Sequence, residues 1–164
     1  MARANTKIGD MFEAEIDANN KKYLQYIISD QTQLNSDVIR VFKKIYSIGD
    51  SPDLRDVTKG EVEFYAHCVT KWGVKLGYWK TVGNIADVGE TDHVLFRDTS
   101  DYGNPSIKVS QNWWVWKINQ QQVEVGSLEG EYQKAEIGLV INPESIVYRM
   151  RTGQYDFKHY PAYK

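Results

Sequence analysis

Apolar and polar positions alternate with a period of two along Lys7-Ile8-Gly9-Asp10-Met11-Phe12-Glu13-Ala14-Glu15-Ile16. That period predicts a half-buried β-strand with Ile8, Phe12, Ala14 and Ile16 turned toward a core. Asp17-Ala18-Asn19-Asn20 follows, a run of residues that accept turn geometry, and then a β-rich stretch from Tyr23 to Ile28. The two stretches read as a hairpin that opens the fold.

Two later segments carry both periods. In 36–46 the apolar residues Val38, Val41, Phe42 and Ile45 suit a helix, but Val, Ile and Phe dominate and Gly49-Asp50-Ser51-Pro52 closes the run, so a strand is preferred. Thr58-Lys59-Gly60-Glu61 has the spacing of a helix capping box, while Val62, Phe64, Ala66 and Cys68 alternate; a strand is again preferred, to about Trp72. His93 to Phe96 predicts a short strand before the turn-rich 98–105. Trp113 to Ile118 predicts a strand covered on both faces, with Trp114, Trp116 and Ile118 opposite Trp113 and Val115. Val123 to Val125 and Ala135 to Ile141 are further β candidates. Asn142-Pro143-Glu144 opens a short helix, since proline is accepted at the first helical position and an acid suits the positive helix start; Ile146, Val147 and Met150 pack inward. The tail from Tyr155 to Pro161 is aromatic rather than disordered in character.

No repeat, low-complexity tract or linker divides the chain. The expectation is one domain over 1–164, mainly β and at the margin α+β: a curved antiparallel sheet or small barrel with one or two short helices.

The formal charge of −2 gives no long-range pull on polyanions, which argues against a nucleic-acid partner. Local charge is less even. From Asp87 to Asp101 five acids face Arg97, a net of −4, and from Asp50 to Glu63 five acids face Arg55 and Lys59, a net of −3. Side by side these segments would make an acidic patch for a basic partner, but scattered solvated loop charges are the preferred reading. Cys68 is the single cysteine and sits in an apolar run, so an internal disulfide is excluded and a reducing compartment follows. With no apolar leader and no long apolar run, the chain is expected in the cytoplasm and off the membrane.

Candidate chemistry is sparse. His67, His93 and His159 lie far apart in sequence and no Cys-x-x-Cys or His-x-x-x-His spacing occurs, so no metal or other cofactor is expected. Asp98 to Gly103 lacks the alternating oxygen ligands and closing Glu of a calcium loop. Adjacent strand residues point to opposite faces, so His67 is not placed to activate Cys68. Carboxylates such as Glu61 or Glu63 with Asp92 could meet in the fold, yet no catalytic motif accompanies them, and no enzyme is expected. The Trp113-Trp114-Val115-Trp116 run could form a stacking platform for bases or a cage for a cationic ligand, but the basic groove that accompanies a nucleic-acid platform is missing, and core packing is preferred.

Gly9-Asp10-Met11-Phe12, the return strand Tyr23 to Ile28, Gly77-Tyr78-Trp79 followed by Val82-Gly83, and Pro143-Glu144-Ser145-Ile146-Val147 occur in this order. In these motifs, over residues 7–153, the chain resembles immunity protein family twenty-six of bacterial polymorphic toxin systems. The resemblance implies a mostly β, non-catalytic protein that binds and neutralises a cognate protein toxin, with the motif positions as scaffold. The loops 47–60 and 98–112 exceed the family's short core and are where binding specificity is expected. Acidic and aromatic residues of the charged segments are the contact candidates: Asp53, Asp56, Glu61, Glu63, Asp87, Glu90, Asp92, Asp98, Asp101 and Tyr102. The competing reading is a small-molecule or modified-peptide binding module with an aromatic pocket of Trp72, Trp79 and Trp113.

Overall fold

The computed structural model describes residues 5–163; Met1 to Ala4 and Lys164, which the sequence assigns to the same domain, lie outside them. The opening hairpin forms as expected. Strand β1 (Asp10–Glu15) pairs antiparallel with β2 (Asn20–Asp30), and the Asp17 carboxylate closes the turn by accepting from the Asn19 and Asn20 amides, each at 2.8 Å. Phe12, Ala14 and Ile16 are buried, but Ile8 is 50% exposed. The strand begins only after Gly9, whose φ of 95° turns the chain away from the sheet.

β2 then pairs with β3 (Ser36–Phe42) and, beyond it, with the two residues of β4 (Tyr46–Ser47). A short helix α1 (Leu54–Thr58) follows, capped by Asp53, which accepts from the Arg55 amide at 2.9 Å. The Thr58 to Glu61 spacing therefore ends a helix rather than starting one. β5 (Val62–Cys68) returns along β3. It stops four residues short of the expected Trp72, because α2 (Thr70–Lys75) is drawn in by Asp37 of β3, whose carboxylate accepts from the Thr70 amide at 2.9 Å and hydroxyl at 2.6 Å. β6 (Lys80–Asn84) closes against the other side of β1.

β7 (Leu95–Thr99), β8 (Trp113–Lys117) and β9 (Val123–Gly126) make a second antiparallel sheet. After a 3-10 turn at 130–134, the expected 135–141 strand splits in two. β10 (Glu136–Ile137) pairs parallel with β7, and β11 (Val140–Ile141) pairs parallel with β5, so this segment stitches the sheets together. The break falls at Gly138, where any side chain would run into the Trp116 indole. Helix α3 (Pro143–Thr152) has Pro143 in its first turn, Asn142 accepting from the Ser145 amide at 2.8 Å, and Gly153 at φ 87° closing its end.

The large sheet runs β11-β5-β3-β2-β1-β6 and the small one β10-β7-β8-β9; among the described residues both stay open, so the barrel alternative fails, and three α-helices replace the expected one or two. One face of the large sheet packs Phe12, Leu24, Val41 and Phe64 against Trp79 and the Ile146, Val147 and Met150 side of α3. The other face is divided. Met11, Tyr23 and Phe42 meet α1 and the 82–85 strand end, while Ile27 and Val38 meet Phe96, Trp116 and Ile118 of the small sheet. Trp113 and Val115 turn outward beneath Leu128, Tyr160 and Tyr163, so both faces of β8 are covered as expected. No helix among the described residues is long and apolar enough to cross a membrane.

Candidate functional site

Acidic side chains divide into those that hold the fold and those left facing solvent. Glu63 belongs to the first group. A bulge between Val41 and Phe42 shifts the β3–β5 register, and Val62 joins the Met11, Tyr23 and Phe42 cluster instead of the face that Phe64, Ala66 and Cys68 share. Glu63 pairs with the buried Lys22 ammonium at 2.8 Å. Asp101 accepts from the Ser110 hydroxyl at 2.7 Å and from Asn112 Nδ2 at 3.2 Å, organising the 99–112 loop. Asp98 is partly buried at the end of β7, and burial raises its carboxyl to about 6. Tyr102 is exposed, with its ring centre 5.0 Å from that of Tyr160.

Asp53, Asp56, Glu61, Asp87, Glu90 and Asp92 are exposed. Glu61 reaches Lys43 at 3.8 Å, a solvated pair of little energetic weight. Among the described residues the other five make no ion pair.

Two segments carry these five acids, and both lie on one face of the large sheet. Leu54 and Val57 of α1 and Val82 and Ile85 share a single apolar cluster beneath them. Beyond it the 85–89 backbone is pinned across the sheet. Gln25 Nε2 donates to the Ile85 carbonyl at 2.9 Å, and the buried Arg40 guanidinium, itself donating to Gln25 Oε1 at 2.8 Å, reaches the Asp87 carbonyl at 3.4 Å. Asp98, Asp101 and Tyr102 sit at the opposite end of β7 and form a separate group.

The three tryptophans of the alternative pocket do not meet. Trp79 is buried against Phe12 and α3, Trp113 is buried under the aromatic tail, and Trp72 is 42% exposed on α2. Trp79 and Trp113 joined separate apolar clusters and Trp72 joined neither, a choice that sequence spacing does not reveal.

Cys68 and His67 are both built into the interior. Cys68 faces the α3 side of β5 and His67 faces the small sheet, so the adjacent pair is separated by the strand itself. Burial drives the Cys68 thiol well above its ordinary pKa, away from the reactive thiolate. Glu90, Asp92 and His93 bring one donor atom each within 4.8 Å of one another; all three are exposed, and no hydrogen bond among the described residues fixes their orientation. Beside them a groove of about 340 Å³ opens where the sheets join, with Tyr65, His93, Lys117 and Glu136 on its walls. Glu136 is already engaged, with Arg149 Nη2 at 3.1 Å and the Tyr65 amide at 3.3 Å. Burial still raises its carboxyl above the usual range, against the pull of Arg149.

No known protein family, curated protein or solved structure matches the chain. Sequence reading missed the buried cations Lys21, Lys22 and Arg40, each only 4–7% exposed. The signal lay in β2 and β3, where Lys21, Lys22 and Arg40 stand beside apolar residues in strands buried along most of their length.

Proposed function

We propose that this protein is a non-catalytic immunity protein that binds a cognate bacterial toxin in the cytoplasm and neutralises it by covering its surface. One observation carries the reading: Asp53, Asp56, Asp87, Glu90 and Asp92 stand exposed and, among the described residues, without ion pairs, on two segments fixed to the same face of the large sheet. Such an array steers a basic partner and sets its orientation, which is what an inhibitor of a basic toxin surface requires. The motif resemblance of residues 7–153 to immunity protein family twenty-six points the same way. So does the spending of Cys68, His67 and Glu136 on internal packing and pairing, since inhibition by contact needs no reacting group.

The test is co-expression with the toxin domain encoded beside the gene. Growth should be rescued, the two chains should co-purify in equal amounts, and association should slow as salt is raised. Undiminished toxicity with no complex at low salt would remove the proposal.

A further inference from the structure

We infer that α2 is a second docking surface, one that takes a segment of a partner protein in which an apolar anchor is flanked by acidic residues. Lys71, Trp72 and Lys75 of the helix and Leu76 at its end are all exposed, while Thr70 and Gly73 are buried. Trp72 is 42% and Leu76 59% exposed, and at four residues apart they are neighbours on one flank. Of the remaining tryptophans, Trp79, Trp113 and Trp116 are buried and Trp114 is half-buried, so Trp72 is the one left open among the described residues.

The underside of this helix is clamped. Asp37 holds Thr70 through both its amide and its hydroxyl, Trp79 Nε1 donates to the Thr70 carbonyl at 3.1 Å, and a side chain at Gly73 would collide with the Trp79 indole. Above, the Lys75 ammonium lies 5.0 Å from the Trp72 ring centre and restrains the indole. A large aromatic held this way loses little freedom when it is covered, and tryptophans in such settings dominate binding energies.

Charge decides the occupant. Lys71 and Lys75 flank the apolar pair, and neither is in an ion pair among the described residues. Acidic flanks would neutralise them while a leucine or phenylalanine covers Trp72 and Leu76. The surface lies on the α3 side of the large sheet, because Val74 and Trp79 pack into the cluster with Phe12 and Ile146. The exposed acids of α1 and 85–92 lie on the other side. The inference is therefore independent of toxin binding, and the two surfaces select partners of opposite charge.

A display library of short random peptides panned on the intact protein tests it. Enriched peptides should combine acidic residues with a leucine or phenylalanine. By calorimetric titration the best of them should lose about tenfold or more in affinity to Trp72→Ala and to the double variant Lys71→Glu, Lys75→Glu. The charge-reversed variant should in turn bind a copy of that peptide with lysine flanks. Because the altered side chains are exposed, unfolding midpoints of these variants should match the parent. Peptides with no acidic excess, or peptides that bind the variants undiminished, would overturn the assignment. A dimer of the parent protein that Trp72→Ala dissolves would overturn it too, by giving the surface to a second copy. Reversing Asp56, Glu90 and Asp92 should leave peptide binding unchanged, which keeps this result apart from the fate of the toxin proposal.

Discussion

His67 Nε2 lies 3.0 Å from Asp30 Oδ2, and neither side chain touches solvent. Asp30 is also a hub, because its other oxygen accepts from the amides of Thr32, Gln33 and Asn119, which joins the end of β2 to the turn after β8. Burial pushes the His67 imidazole below its ordinary pKa, more strongly than Asp30 raises it. The unfolded chain then binds the proton better. This contribution to stability is present above an unfolded histidine pKa of about 6.5 and is lost as the pH falls through it. In Asp30→Asn the amide oxygen must keep the backbone donors, so its NH₂ faces Nε2 and drives the ring proton to Nδ1, which has no partner among the described residues. A loss of about 1.5–3 kcal/mol in urea unfolding at neutral pH is expected. A change below about 0.5 kcal/mol would show the pair to be idle.

Asp98 works in the opposite sense. Its carboxyl is raised to about 6 by burial, only partly offset by the Thr99 amide and Arg97, so the folded state binds the proton better. The charged form burdens the fold above pH 6, and the burden is relieved as pH falls from there toward the unfolded value near 4. Asp98→Asn should stabilise by about 1–2 kcal/mol at pH 7.5, allowing for solvent at the partly exposed group, and should do nothing at pH 4. Thermal unfolding across that range measures it; equal effects at both ends would contradict the argument.

The elements legible in sequence are those whose pattern is local. The hairpin, β8 and α3 each carry their own period, turn or cap within a dozen residues, as with Asn142 and Pro143 ahead of Ile146, Val147 and Met150. What was hidden depends on distant partners. α2 exists because Asp37 and Trp79 seize Thr70 and Gly73; without them Val69 and Thr70 continue an alternating strand pattern. The second sheet covers a face whose alternation reads the same whether a barrel closes or another layer arrives. The acid-rich segments were legible, but the division of their members was not. Glu63 was diverted to Lys22 by a one-residue bulge that leaves no mark in composition.

Gly138 tests the seam between the sheets. Its amide donates to the Arg97 carbonyl at 2.7 Å, and an added methyl would sit 2.8 Å from that carbonyl oxygen and against the Trp116 indole. Gly138→Ala should cost about 1–3 kcal/mol and change the near-ultraviolet circular dichroism of the tryptophans. A parent-like spectrum with parent-like stability would mean that the seam yields freely.

The two classes of acid should separate cleanly in one experiment. Glu63→Ala leaves the Lys22 ammonium, 6% exposed at its side chain, without its partner, and should cost about 3 kcal/mol or more by urea unfolding. Asp56→Lys, Glu90→Lys and Asp92→Lys together alter exposed carboxylates without ion pairs among the described residues, and should move stability by no more than about 0.5 kcal/mol each. The same triple variant should slow association with a basic toxin by about tenfold or more in stopped-flow fluorescence at low salt, with the dissociation rate little changed. High salt should bring parent and variant together, since screening removes the steering that distinguishes them. An association rate untouched by the reversal would move recognition away from this face of the sheet, leaving the fold argument for Glu63 intact.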